Sequence, residues 1–213
     1  MNGDREDQKH RKHFYLWRQK LKINGKGSKF VHPITDPAKI EEIRAMLRKK
    51  KSRRDLALFE CGLSWGLRGG DLLALDVGDV RGIEAGQSFS VTEKKTRKER
   101  RITINNHIRK LLDEFLSERP DASDDTPLFS GQRGRMSTSW LCRLITGWCR
   151  AVGLNELNYG SHSLRKSAGY HRRLAGFSLP VLCQWYGHSS EALTLKYLGI
   201  QPQEIAKLYE YEF

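Results

Sequence analysis

From residue 35 onward the chain moves between two hydrophobic periods. Ile40, Ile43, Met46 and Leu47 fall on one helical face, behind Asp36 in the N-cap position and Pro37 at the first helical position. Leu56, Leu58, Phe59 and Leu63 predict a second helix over roughly 53–65. GLRGGDLLAL then predicts a turn leading into a short helix. Between residues 79 and 104 the period drops to that of strands. VRGI, SFSVTE and RRITI, separated by Gly82, Gly86 and a hairpin turn near TRKE, predict a small three-stranded antiparallel sheet. Helical spacing returns with Ile108, Leu111, Leu112, Phe115 and Leu116, and breaks at Pro120 and DASDD. The last third predicts helices only. Ser137 or Ser139 caps one that ends at Gly153, and two more run over roughly 163–175 and 179–185 to stops at Gly176 and Gly187. A short helix holds ALTLKYL, and Pro202 opens a terminal one with Ile205 and Leu208 inward. The pattern predicts a mainly α (α+β) fold, a helical bundle carrying one small sheet.

Composition narrows what such a bundle does. The 213 residues are 38% hydrophobic, with five Trp and eight Phe, enough for one sizeable core. No apolar run approaches the roughly 20 residues that span a bilayer, and MNGDREDQKHRKH has no apolar stretch behind its charges. These features exclude a membrane channel and a secreted mini-scaffold. The formal net charge of +13 points to a polyanionic partner, most economically nucleic acid. Cys61, Cys142, Cys149 and Cys183 lack zinc-ligand spacing and sit among apolar neighbours, so they are expected as buried core residues. Residues 1–30 stand apart: nine Lys/Arg, three acidic residues, aromatics at Phe14, Tyr15 and Trp17, and a joint at Gly25, Gly27 and Ser28. They read equally as a solvated tail or as an arm that touches DNA or a partner.

Four groups carry candidate chemistry. Arg68 sits at a turn between apolar flanks, where a guanidinium is costly to bury unless it serves an anion. The hairpin EKKTRKERR packs six cations between Lys94 and Arg101, and a phosphate backbone relieves their repulsion. His162 and Arg165 lie one helical turn apart, on a helix that Ser161 or Ser163 can cap. His188 follows the stop at Gly187, and Tyr197 lies in the next short helix. Each has an ordinary structural explanation when taken singly. Together they describe one reaction: two arginines clamp a phosphodiester, a tyrosine hydroxyl attacks phosphorus, and a lysine or histidine supplies the leaving group's proton. No metal or other cofactor is called for.

The order Arg, Lys, His-x-x-Arg, His, Tyr resembles the tyrosine recombinase/phage integrase family over roughly residues 33–213. GLRGGDLLAL is similar to the family's first arginine box, KTRKERRITI to its lysine hairpin, HSLRKSAGYH to its H-x-L-R box, and GHSSEALTLKYLGI to its G-H box and tyrosine. The resemblance implies that Tyr197 is the nucleophile, forming a 3′-phosphotyrosyl link and freeing a 5′-hydroxyl. It implies further that Arg68 and Arg165 grip the scissile phosphate, that His188 hydrogen-bonds it, and that His162 assists proton movement at Tyr197. Lys95 matches the general acid, with Lys94 and Lys98 ranked lower. Asp71 stands where the family has Glu, as a supporting residue, and Lys166 and Thr103 stand where it more often has His and Pro. Lys94, Arg97, Lys98, Arg100 and Lys166 are expected to contact DNA.

The implied function is site-specific recombination of double-stranded DNA without ATP. The implied partners are a homo-tetramer on synapsed duplexes, which has a monomer as its free form, and an accessory DNA-bending factor. The setting is cytoplasmic and DNA-associated, with no membrane contact. Residues 1–32 are expected as a tail or arm, and 33–213 as the catalytic domain with a C-terminal docking helix in QPQEIAKLYEYEF. The core-binding domain that relatives carry before this one has no counterpart here. A minimal single-domain integrase is therefore expected, with a chain separated from that domain as the alternative. A type IB-like topoisomerase and a non-catalytic DNA-binding regulator remain as other readings; scattered carboxylates weigh against a metal-dependent nuclease.

Overall fold

The computed structural model describes residues 30–199 and 208–210. The expectations for residues 1–29, and for the terminal helix apart from its 208–210 stretch, lie outside the described residues. Among those described, eight α-helices run in chain order: α1 (Pro37–Lys49), α2 (Arg53–Trp65), α3 (Gly69–Leu72), α4 (Asn106–Leu116), α5 (Thr138–Ala151), α6 (Ser163–Leu174), α7 (Leu179–Tyr186) and α8 (Glu191–Leu198). None of them is long and apolar enough to cross a membrane.

Local chemistry explains most of the boundaries. The Asp36 side chain accepts from the Ala38 N–H and Pro37 opens α1, so Ile40, Ile43 and Leu47 are turned inward. Asn105 and Ser137 cap α4 and α5 in the same way, accepting from the N–H groups of Ile108 and Trp140. The axis of the fold is α2, whose apolar residues are buried nearly throughout and which packs against α1, α4 and α6. Edge-on aromatic pairs fix its neighbours: Phe59 on Trp148 at 5.8 Å and Trp65 on Phe89 at 5.3 Å between centroids. Gly66 ends α2 in the left-handed region at φ 55°, where a Cβ would lie 2.0 Å from the Trp185 ring. That glycine lets α7 close over the end of α2.

The sheet is smaller than its apolar pattern predicts. β1 (Ser88–Thr92) pairs antiparallel with β2 (Glu99–Thr103), from Ser88 opposite Thr103 to Thr92 opposite Glu99. Phe89, Val91 and Ile102 face the core. The expected third strand at VRGI is absent, because other groups have taken its backbone. Val77–Asp79 forms a 3-10 turn locked by reciprocal bonds between Asp76 and Asp79, and the Val80 and Arg81 N–H groups both return to Val77 O. The Arg109 guanidinium takes the carbonyls of Val80 and Ile83 at 2.8 and 3.0 Å. Val80 is buried as the pattern requires, but these bonds occupy the Val80 and Arg81 N–H groups and the Val80 and Ile83 carbonyls that a ladder would use. A two-residue hairpin, β3 (Ser130–Gly131) with β4 (Gly134–Arg135), forms before α5.

A second, smaller apolar cluster joins α7 to α8: Leu182, Tyr186 and Leu198 are buried, with Leu179, Trp185 and Tyr197 packed against them. Of the four cysteines, Cys61 and Cys149 are buried as expected, whereas Cys142 and Cys183 are only partly covered, and all are free. The compact unit begins at Val31, and every candidate side chain lies within it.

Candidate active site

Three parts of the fold converge on Tyr197. The first is the junction of α3 with the β1–β2 hairpin. Arg68 occupies the N-cap of α3 in extended conformation, and its Nη1 lies 2.6 Å from Glu93 Oε2 and 3.9 Å from Asp71 Oδ2. That nitrogen makes no well-directed hydrogen bond, so the contact is an ion pair with donor capacity to spare. Asp71, fully enclosed, accepts from the Lys94 N–H at 3.0 Å and ties the hairpin to the arginine turn. Glu93 is completely buried; it accepts from Thr96 Oγ1 at 2.7 Å and from Arg100 Nη1 at 3.5 Å. Burial alone would raise its pKa. The Thr96 hydroxyl and the Arg68 and Arg100 guanidiniums outweigh that and hold it below the usual carboxylate range.

The second part is α6. Contrary to the capping expectation, neither Ser161 nor Ser163 caps it; His162 sits at the N-cap, and Ser163 Oγ instead accepts from the Gly160 N–H at 3.0 Å. Arg165 is 1% exposed. It donates from Nη1 to Gly66 O and from Nη2 to Tyr186 O, and its guanidinium lies 4.8 Å from the Tyr186 ring and 5.9 Å from the Tyr197 ring. Two of the roughly five N–H donors of a guanidinium are thereby spent on carbonyls that fix its plane. Lys166 is 6% exposed, with Nζ 5.1 Å from the centre of the Tyr197 ring.

The third part is α7 and α8. Tyr186 is fully buried, donates to Arg165 O at 2.9 Å, and stacks on His188 at 4.8 Å with the rings 10° from parallel. Gly169 makes room for it: a Cβ there would fall 1.8 Å from the Tyr186 hydroxyl. His188 Nδ1 shares a 2.9 Å hydrogen bond with Thr194 Oγ1, which leaves Nε2 for another partner. Tyr197 meets the His188 and Tyr186 rings edge-on, and its hydroxyl is 3.2 Å from His162 Nδ1.

These surroundings set the protonation states. Burial, then the cations Arg165, Lys166, Arg68 and Lys95, push the His162 pKa down, so the imidazole facing Tyr197 is neutral near pH 7. Burial, then Arg165 and Arg68, lower His188 to about 4. Burial raises the Tyr197 phenol, and Arg165 opposes that shift. The result is a neutral phenol beside a neutral imidazole, under a concentrated positive field.

The structure thus brings together Arg68, Asp71, His162, Arg165, His188 and Tyr197. Lys95 is exposed in the hairpin loop, close enough to lower the His162 pKa by its charge. Lys94, Arg97 and Lys98 are exposed beside it, with Arg97 in the left-handed region at φ 56°. Two of the cations expected on DNA are not surface groups. The Arg100 side chain is 9% exposed, committed to Glu93 and to Trp65 O, with burial and then Arg165 bringing its pKa to about 10. Lys166 is covered by Tyr197. Sequence reasoning missed Glu93 and Tyr186. Glu93 hid as the one acid opening a basic run, and Tyr186 as the aromatic before G-H. No cluster able to hold a metal ion occurs among the described residues.

The chain is also similar to known proteins. Residues 34–204 match the phage integrase family. A probable integrase/recombinase, YoeC of Bacillus subtilis, is 32% identical over 182 residues, covering 84% of this chain and 96% of its own. Tyrosine recombinase XerC of Haemophilus ducreyi is 33% identical over 159 residues, 74% of this chain and 51% of its own. The chain therefore spans nearly all of the first relative but about half of the second. In fold it is similar to the XerH site-specific recombinase bound to palindromic difH substrate in a post-cleavage complex. That likeness has a TM-score of 0.70 at 24% identity, and covers 88% of this chain and 55% of the other.

Proposed function

The chain belongs to the phage integrase family, and from that premise we propose that it is a tyrosine-type site-specific DNA recombinase whose catalytic centre is the cluster around Tyr197. The observation that carries this reading is the 3.2 Å contact between the Tyr197 hydroxyl and His162 Nδ1, flanked by Arg165 and, across the hairpin junction, Arg68. Tyr197 Oη attacks the scissile phosphorus; its bond to phosphorus forms as the bond to the 5′ oxygen breaks. The phenol proton passes to His162, whose lowered pKa keeps it free to accept. Lys95, exposed on the hairpin loop, delivers a proton to the departing 5′ oxygen. Arg68, Arg165 and the free edge of His188 hold the non-bridging oxygens and stabilise the extra charge of the transition state. An incoming 5′-hydroxyl reverses the sequence on a new strand, and the phosphodiester energy is conserved.

Double-stranded DNA is the substrate in this reading, with Lys94, Arg97 and Lys98 tracking its backbone. Strand exchange takes place in a tetramer on two synapsed duplexes, assisted by a DNA-bending factor, in the cytoplasm beside the chromosome. Residues 33–213 act as the catalytic domain and the basic residues 1–32 as an added backbone contact. A nicked suicide duplex, which traps the covalent intermediate, tests the proposal. The wild type should yield a protein–DNA adduct and Tyr197→Phe none. An adduct with Tyr197→Phe, or none with the wild type on any cleavable site, overturns the assignment.

A further inference from the structure

Lys166 is an unusual neighbour for a nucleophilic phenol. It follows Arg165 within an eight-residue stretch of α6, Ser163–Tyr170, that is buried throughout, and it is 6% exposed. An ammonium there has given up most of its hydration, which is costly unless the site returns the energy. The face of the Tyr197 ring lies against it, with Nζ 5.1 Å from the ring centre. A cation over an aromatic face within about 6 Å is attracted to the ring's quadrupole, and more strongly when desolvated. That attraction grows when the ring carries negative charge. Tyr197 gains such charge as its proton leaves for His162, whereas the neutral phenol gains little, so the contact strengthens along the reaction rather than in the ground state.

We infer that Lys166 is a positioning residue for the attack step: its ammonium seats the Tyr197 ring against α6 and stabilises the phenolate that develops during attack. The inference rests on Tyr197 being the nucleophile. Lys166 transfers no proton and touches no phosphate oxygen in this role. Among the described residues, the titratable and charged groups near it include His162 and the adjoining Arg165 on its own helix and Tyr197 within α8, with Tyr186 on α7 and His188 packed on the Tyr197 ring. Arg68 and Lys95 join them across the hairpin junction, since both act on His162. Burial brings the Lys166 pKa down to about 8, so the charge that the role requires is lost from the free protein in mildly alkaline solution. A bound phosphate moves that transition upward.

The experiment measures single-turnover cleavage of the suicide duplex, at saturating protein, from pH 6 to 10. The proteins are wild type, Lys166→Met and Lys166→Arg. Methionine keeps the length and apolar stem without the charge; arginine keeps a charge that does not titrate in this range. Below pH 7 the methionine variant should cleave about tenfold more slowly than wild type, as expected for a desolvated cation–π contact, with DNA affinity unchanged within twofold. The ratio of wild-type to methionine rates should fall toward one at the alkaline end. The arginine variant should recover most of the rate and hold it across the range. A constant ratio at every pH, or a methionine variant as fast as wild type, overturns the inference. If arginine does not fit and that variant melts early, the pH dependence of the methionine ratio decides alone. Failure of the parent assignment looks different, because the wild type itself would then form no adduct through Tyr197.

Discussion

Replacing Glu93 by glutamine separates the cost of holding the free site together from the requirements of DNA binding. The carboxylate is fully buried, 2.6 Å from Arg68 and 3.5 Å from Arg100. At an effective dielectric of about 20 these contacts represent roughly 6 and 5 kcal/mol of attraction, most of it offset by the desolvation of three charges. Removing the shared anion leaves two guanidiniums, 19% and 9% exposed, beside Arg165, with the Asp71 carboxylate 3.9 Å from Arg68 as the remaining counter-charge of the turn. Loss of one partner from a buried pair costs about 3–5 kcal/mol; the residual exposure of Arg68 places this case near the lower end. Glutamine keeps the shape and an acceptor for Thr96 Oγ1, so the loss reports on charge.

Urea unfolding at pH 7 and low salt should show Glu93→Gln less stable by about 3 kcal/mol, with an unchanged slope. The sign of the pH dependence follows from the depressed pKa of Glu93. Its contribution is fully present above the unfolded carboxylate value of about 4.3 and disappears as pH falls through its lower folded value, so the two proteins should converge in strong acid. DNA affinity, measured in the Tyr197→Phe background, should move the other way. With the competing carboxylate gone, a bound phosphate gains the field of Arg68 and Arg100, and binding at low salt should tighten several-fold. A destabilisation under about 1 kcal/mol, or weaker DNA binding, would show that Glu93 is not the counter-ion of this site.

Three further substitutions probe the chemistry and its support. Lys95→Met should slow cleavage by about a hundredfold or more, and a substrate with sulfur in place of the bridging 5′ oxygen, which leaves without a proton, should restore the rate; a variant equally slow on both substrates would remove Lys95 from the general-acid role. Wild-type cleavage should decline in acid, further down than the ordinary histidine value of about 6.5 because the His162 pKa is lowered, as His162 gains a proton and can no longer take one from Tyr197, while His162→Gln should be slow with that acid limb missing; an acid limb retained in the variant assigns it to another group. An alanine in an exposed helix normally stabilises relative to glycine by up to about 1 kcal/mol, but Gly169→Ala should lose about 1–3 kcal/mol because its Cβ enters the Tyr186 hydroxyl; an unchanged or raised melting temperature contradicts the packing described.

Much of this fold could be read from the chain because its signals are local. Asp36-Pro37 opens α1 and Ser137 caps α5 through their own side chains, and Gly187 ends α7 at φ 65°. The first-arginine, His-x-x-Arg, His and Tyr positions were legible in the same way, each carried by a short motif. The errors share one cause, which is that an isolated segment does not reveal its neighbours. VRGI has the apolar content of a strand, yet Arg109, 26 residues after Ile83, takes its carbonyls. Arg100 and Lys166 lie among cations and so read as DNA contacts, whereas packing by Trp185 and Tyr197 encloses them. Charge is visible in a sequence; burial of a charge is a tertiary fact.

That distinction bears on how the site stays assembled without its substrate. Arg68, Arg100, Arg165 and Lys166 crowd a small volume, and like charges so placed would push the hairpin away from α6 unless something intervened. Three devices do. Glu93 and Asp71 balance the arginine turn, and Asp71 also pins the Lys94 backbone, so the anions that neutralise the site also place the lysine loop. The carbonyls of Gly66 and Tyr186 absorb part of the Arg165 charge as hydrogen bonds. Aromatic faces, Tyr186 for Arg165 and Tyr197 for Lys166, add a third contribution. Each device is weaker toward a cation than a phosphate is, so the arginines stay available to substrate while the fold keeps them in place. The proposed nucleophile is itself one of those faces, which makes the pose of Tyr197 part of the same electrostatic balance.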